Sequence, residues 1–277
     1  MRTAFAILLA ASAASAAHAG TPLTEPRISG DIGVDFTNNY VSYGISIENQ
    51  GLVAQPYADL CFPIFSGDGP LTKVCASLGI WNSLHTHRSP TVTGAQRTWY
   101  EFDFVTSLAF TFGKITLSPQ WVHFTSPNGS FPSGGTLALR LDYDDSERLG
   151  PWALNPHALA LMEIGEKTGS GSRLGNYWEL GIAPGTTAGP IALSVPLTVG
   201  LGSGGFYGGP VRGQDTFGFF SAGLAAEIPL GFMPAALGNW ALKANTTYFR
   251  QGHNAALASN ETGRSLWVFG SGIVVRF

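Results

Sequence analysis

The sequence predicts an all-β chain: a closed, transmembrane, antiparallel up-and-down β-barrel of about 12 strands, with about 10 to about 14 as the range. Three observations carry this. Only 12% of the 277 residues are charged, about half of what a soluble domain of ordinary composition carries. Apolar and polar residues alternate with a period of two in segment after segment, the signature of a strand with one greasy and one wet face. Beyond residue 19 no uninterrupted apolar run approaches the length of a membrane-spanning helix. Other classes are excluded by the same composition. With 18 Phe, 8 Tyr and 7 Trp the chain is too aromatic for a solvated coil. Lys+Arg 15 against Asp+Glu 18, net -3, is the wrong balance for a nucleic-acid binder. The 36 Gly suit a chain of strands and turns.

The chain divides into residues 1–19, a cleaved signal peptide, 20–29, a short periplasmic segment, and 30–277, the barrel. Met1-Arg2-Thr3 is a short basic start, Phe5 to Leu9 opens an Ala-rich apolar run, and Ala17-His18-Ala19 fits a small-residue cleavage site before Gly20. A retained anchor is the alternative, but the run is short for a bilayer and has no stop-transfer flank.

In order, the candidate strands are 31–47, 52–62, 71–84, 97–112, 115–124, 135–144, 156–165, 174–184, 190–201, 216–229, 239–250 and 265–277. In the fourth, Tyr100, Phe102, Phe104, Thr106, Leu108, Phe110 and Phe112 form one face and Glu101, Asp103, Val105, Ser107, Ala109 and Thr111 the other. In the ninth, Ile191, Val195, Leu197, Val199 and Leu201 alternate with Ala192, Ser194, Thr198 and Gly200. In the eleventh, Leu242, Ala244 and Tyr248 oppose Lys243, Asn245 and Thr247. A helix would instead bring apolar residues together three and four apart.

The connections support a barrel with its N-terminus in the periplasm. Pro63–Pro70, Gly113-Lys114 and Thr186–Gly189 are mostly short, whereas His85–Gln96, Thr125–Gly134, Gly202–Asp215 and Gln251–Arg264 are longer and rich in Gly, Pro, Asn and Ser. Short inner turns and long outer loops are the asymmetry of membrane barrels; Asp145–Asn155 and Pro229–Gly238 are exceptions. Closure has a physical cause, because lipid offers no water to satisfy a free strand edge. Trp81, Trp99, Tyr100, Trp121, Trp178, Trp240, Tyr248 and Trp267 lie toward strand ends, where an interfacial girdle is expected. A soluble sandwich, the competing architecture, would need more charge on its wet face. Cys61 and Cys75 flank the turn at Pro63–Pro70 with equal parity, so that across a hairpin a disulfide is possible. Two small buried thiols are the alternative.

The last strand, Ser265 to Phe277, sets Trp267, Phe269, Ser271, Ile273, Val275 and Phe277 on its outer phase and ends in an aromatic residue. It resembles the C-terminal signal of bacterial outer-membrane proteins, with Phe269, Ile273, Val275 and Phe277 as the assembly signal. Phe36-Thr37-Asn38-Asn39-Tyr40-Val41-Ser42-Tyr43-Gly44-Ile45-Ser46 resembles the first strand of the TorF family of porin-like outer-membrane proteins. That group more often carries Arg where this chain has Ser42 or Tyr43. Glu101 to Phe112 and Asn176-Tyr177-Trp178-Glu179-Leu180-Gly181 resemble later strands of the group. The resemblance implies export to the outer membrane and a barrel, with no settled substrate.

With apolar phases toward lipid, the inward set is Asp35, Asp59, Lys73, Glu101, Asp103, Arg140, Asp142, His157, Glu163, Glu179, Glu227, Lys243 and Arg276. Its acidic excess would favour cations in an open lumen; alternatively the charges pair across the interior and fill it. A constriction of Glu101, Asp103, Arg140 and Lys243 would screen by size and charge.

Catalysis is not expected. No G-x-S-x-G or H-E-x-x-H occurs, and a Ser beside His123 or His157 is what any barrel would offer. His85-Thr86-His87 resembles half a metal site but lacks an evident third ligand, and Gly200–Gly205 reads as an external loop. The leading function is therefore a cofactor-free channel for passive diffusion of small hydrophilic solutes or ions. The alternatives are a closed structural or adhesion barrel acting through loop tips such as Phe131-Pro132 and Gly205-Phe206-Tyr207-Gly208, and a barrel hydrolase. The partners expected are outer-membrane lipid, the barrel-assembly machinery, periplasmic chaperones and small hydrophilic solutes, with no nucleic acid.

Overall fold

A computed structural model describes residues 28–87, 98–171, 173–209, 213–259 and 263–277; residues 1–19, expected to be a signal peptide, lie outside them. Twelve barrel strands follow in chain order: β1 (Ser29–Thr37), β2 (Val53–Ser66), β3 (Lys73–His85), β4 (Trp99–Phe112), β5 (Ile115–Thr125), β6 (Gly134–Tyr143), β7 (His157–Ile164), β8 (Asn176–Ile182, continued by Gly185–Ala188), β9 (Ile191–Ser194, continued by Leu197–Ser203), β10 (Phe217–Pro229), β11 (Asn239–Gln251) and β12 (Ser265–Arg276). Each pairs antiparallel with its neighbour in sequence, and β1 closes the ring on β12 from Asp31↔Arg276 to Thr37↔Gly270. No described helix is long and apolar enough to cross a membrane.

The ladder carries one parity round the ring. Asp35 sits opposite Gln55 on one side and Gly272 on the other, Lys243 opposite Glu227, and Glu179 opposite Leu159, all facing inward. The other parity presents Ile32, Leu139, Leu180, Leu242, Trp267 and Phe269 as exposed apolar side chains, a belt suited to lipid. Each strand is amphipathic because its sequence alternates, and the sheet closes because its edges have nowhere else to bond.

Three expectations are corrected. The first candidate strand, 31–47, ends at Thr37. Asn38 stops the ladder by accepting from the Phe269 amide at 2.7 Å, and a separate two-stranded hairpin, Tyr40–Ser42 with Ile45–Glu48, follows. The eighth and ninth strands are interrupted at Ala183-Pro184 and Val195-Pro196, where the missing proline N–H groups break the ladder without shifting its parity. Trp81 and Tyr100 are buried inside the barrel rather than set in a girdle. Trp81 follows the inward phase of β3. Tyr100 is turned inward by a register shift that pairs Ser83 with Glu101 but Leu84 with Trp99.

Cys61 and Cys75 are joined by a disulfide with a Cα separation of 5.8 Å. They are diagonal rather than opposite, since Cys61 faces Ser77 and Cys75 faces Pro63, and a bulge at Pro63/Phe65 follows. Cross-linking residues 14 apart should restrict the unfolded chain by about 3 kcal/mol. The double variant Cys61→Ser, Cys75→Ser is thus expected to unfold at lower urea in micelles and to lose all sensitivity to reductant. An unchanged midpoint would contradict this.

Candidate functional site

The inner face divides into two levels. At the end where β1 begins and β12 ends it forms a vestibule of partly exposed charged side chains. The Lys243 Nζ lies 2.7 Å from Asp35 Oδ1 and donates to the Tyr57 hydroxyl at 2.9 Å. Arg276 holds Glu227 through both terminal nitrogens, at 2.5 and 2.8 Å. Arg140 holds Asp142 two residues along the same strand, with 2.6 Å between Nη2 and Oδ1. Asp31 and Asp59 face each other across the β1–β2 ladder, so three intimate ion pairs leave carboxylates in excess. Lys73 lies exposed at the start of β3.

At the opposite end the lumen is filled. The hairpin Tyr40–Ser42/Ile45–Glu48 folds inward, turning at Tyr43 and Gly44, both at positive φ (46° and 77°). Two residues of that conformation make the turn that matches strand twist, and only glycine adopts it freely. The tip is docked: Tyr207 donates its hydroxyl to the Tyr43 carbonyl at 2.7 Å and Gln251 Nε2 donates to the Gly44 carbonyl at 2.6 Å. A second short hairpin, Tyr207–Gly209 with Gly213–Asp215, and a helical turn, His253–Ala258, complete the plug. Asn254 ties them together, donating from Nδ2 to the Tyr207 carbonyl at 2.9 Å. Phe131, Phe206 and Tyr207 are buried in this cluster, which corrects their assignment as external contact tips. Glycines make the room. A Cβ on Gly200 would stand 2.2 Å from the Phe219 ring, and one on Gly202 or Gly218 would stand 2.6 or 2.1 Å from the Tyr207 ring.

Among the described residues, the buried charged groups here are Glu48, Glu101, Asp103, Glu163 and Glu179, with His85 beside them and no buried Lys or Arg. Tyr40 donates to Glu101 Oε2 at 2.9 Å and Tyr177 to Glu179 Oε2 at 2.5 Å. His157 Nε2 lies 3.4 Å from Glu179 Oε1. Glu163 binds the amides of the loop that follows it. Glu48 accepts from the Gln50 amide at 2.9 Å, and burial pushes its carboxyl above the usual range.

The expected inner-face residues therefore share the interior but not one level. Glu101 and Asp103 lie under the plug and are fully buried, whereas Arg140 and Lys243 belong to the vestibule, so the four form no single ring. His123 lies on the lipid-facing phase, its ring stacked on Trp121 at 5.9 Å. His85 is buried and His87 exposed, and no group of three metal-ligating residues occurs among the described residues. Sequence reasoning passed over Ser83, whose Oγ is 2.9 Å from His85 Nε2, while Glu48 Oε2 is 3.7 Å from His85 Nδ1. The second distance exceeds hydrogen-bond reach and all three side chains are buried, so the contact serves to seat the plug hairpin on β3. Asp31 and the Tyr43-Gly44 turn were also passed over, although the inward phase of Asp35 already implied the first.

No family model and no curated protein matches this chain. Among solved structures it is similar to an outer membrane channel from Pseudomonas putida F1, with a TM-score of 0.52 and 10% identity over 92% of this chain and 97% of that one. It also aligns with the NanC porin, at a TM-score of 0.49 and 10% identity over 89% of this chain and 100% of that one. Outer membrane phospholipase A from Escherichia coli aligns at a TM-score of 0.44 and 13% identity over 90% and 93%. The likeness to the Pseudomonas channel shows a shared fold, the outer-membrane β-barrel.

Proposed function

We propose that this chain is a porin-like channel of the bacterial outer membrane, passing small hydrophilic solutes or ions by diffusion with a weak preference for cations. The observation that carries the reading is the partly solvated vestibule, in which Asp31 and Asp59 stand beyond the three ion pairs. Fixed carboxylates in a narrow, low-dielectric passage concentrate cations by focusing their field. Passage requires the plug to move, because its aromatic residues leave the outer level no room. The reading includes lipid as solvent for the outer belt, and the terminal strand as the segment read during barrel assembly. The TorF resemblance falls on Phe36 to Ser46, which here include the docked hairpin, and agrees with this reading. It requires no cofactor and no catalytic residue.

The test is recording from the refolded chain in a planar bilayer under a salt gradient. Steady conductance with a cation-selective reversal potential is expected. Lys243→Gln, which removes a vestibule cation beside Asp35, should move the reversal potential further toward the cation limit, while Asp31→Asn with Asp59→Asn should move it back. A heat-modifiable barrel that never conducts would defeat the channel reading. It would favour the second one, a closed barrel acting through its outer loops, for which the buried mouth is the specific support.

A further inference from the structure

Glu101 and Asp103 stand two residues apart on the inward phase of β4, and both are fully buried. Two carboxylates buried side by side repel each other and have no hydrogen to offer, which favours a proton held on the pair. Tyr40, from the plug hairpin, satisfies Glu101 Oε2, while Glu101 Oε1 and Asp103 Oδ1 receive no other donor. Across the ladder, β3 offers Ser83 to Glu101 and Trp81 to Asp103, and β5 offers Phe124 to Asp103. The titratable groups nearby are Tyr40 and Tyr43 of the hairpin, Tyr100 and the His85 stacked on it at 4.4 Å, and the acids Glu48, Glu163 and Glu179. No Lys or Arg is buried among the described residues. A second negative charge at this point would be fully buried with no buried Lys or Arg of the described residues to pair with.

We propose that Glu101 and Asp103 form a proton-binding pair that latches the plug. With one proton shared, the pair is a compact monoanion capped by Tyr40 and the outer mouth stays filled. When that proton passes to solvent, two adjacent anions remain, and they gain hydration only if the Tyr40–Glu48 hairpin leaves its seat. The channel then opens as the pH rises. This rests on the channel reading for its consequence, but the motion can be measured without it.

Ser46, fully buried in the hairpin, is the reporter. With Cys61 and Cys75 bonded to each other, Ser46→Cys supplies the reactive thiol, and its maleimide labelling is followed on the full chain refolded into phospholipid vesicles. Rates are divided by those of the unfolded chain at the same pH, which removes the thiol's own titration. Between about pH 5 and about pH 9 the ratio is expected to rise by about tenfold or more. Adding Glu101→Gln with Asp103→Asn should abolish the rise and leave labelling slow throughout. Should that pair of changes yield no heat-modifiable barrel, Asp103→Asn alone removes the second anion and is read in the same way. A flat ratio in the parent, or an undiminished rise in the variant, overturns the proposal. Conductance from the same preparation separates the two readings. Labelling that rises with pH without any current keeps the latch and rejects the channel, whereas current with pH-independent labelling does the reverse.

Discussion

Replacing Gly218 by valine is expected to open the outer mouth while leaving the barrel closed round its wall. The Tyr207 ring occupies the place of a side chain at Gly218: a Cβ there would stand 2.1 Å from Cζ and 2.3 Å from the hydroxyl oxygen. Gly202 bounds the same ring from the neighbouring strand, at 2.6 Å. Tyr207 is fully buried and its hydroxyl holds the hairpin tip through the Tyr43 carbonyl, so the ring cannot yield in place. Overpacking of this kind costs about 3 kcal/mol, enough to raise the population of undocked plug about a hundredfold. The Ser46→Cys reporter should label correspondingly faster in the Gly218→Val background, at every pH. Heat-modifiability should persist, because the β10–β11 ladder is untouched. Labelling as slow as in the parent would mean that Tyr207 does not hold the plug.

The second large effect is expected at Glu163, at the end of β7. Its Oε1 accepts from the Thr168 amide, from the Thr168 hydroxyl at 2.8 Å and from the Gly169 amide at 2.6 Å, and its Oε2 accepts from the Gly175 amide at 2.6 Å. One buried carboxylate thus organises both ends of the following loop. The loop in turn backs the plug: a Cβ on Gly175 would lie 2.5 Å from the Phe206 nitrogen, and one on Gly169 would lie 2.3 Å from the Phe206 carbonyl oxygen. Charge-assisted hydrogen bonds are the strong ones, and unpaired buried donors are the expensive remainder. Glu163→Ala is expected to destabilise this loop by about 4 kcal/mol, read as roughly thousandfold faster amide exchange at Gly169 and Gly175. Glu163→Gln should recover part of the protection, because its carbonyl still accepts while its amide faces an N–H. Unchanged exchange in Glu163→Ala would remove the carboxylate from this role.

Both sites show where legibility ended. Parity along a strand is a local property, so Asp35, Glu101, Arg140, Glu179, Lys243 and Arg276 are assigned to the inner face from alternation alone, and their positions in the ladder agree. Height along the barrel is another matter, because alternation says nothing about it. Glu101 and Lys243 share a face but lie in different surroundings, one sealed under aromatic rings and one lining a wet vestibule. Bulges defeat even parity, as Tyr100 demonstrates.

The class of the molecule follows from local pattern alone. Low charge, period-two alternation, punctuating turns and an aromatic terminal strand are properties of short segments, and lipid then forces such segments to close into a barrel. Whether the loops of the filled end leave the lumen or enter it depends instead on contacts made once the chain has folded. Phe206 and Tyr207 belong to a loop that reads as external and Tyr43 to a segment that reads as strand, yet all three turn inward, where Gly202 and Gly218 leave space for the Tyr207 ring and Gln251 donates to the turn. The tip of the first hairpin meets Tyr207 and Gln251 across 164 and 207 positions of the chain, and closing the ring is what brings them together. A pattern confined to neighbours along the chain holds no record of that meeting.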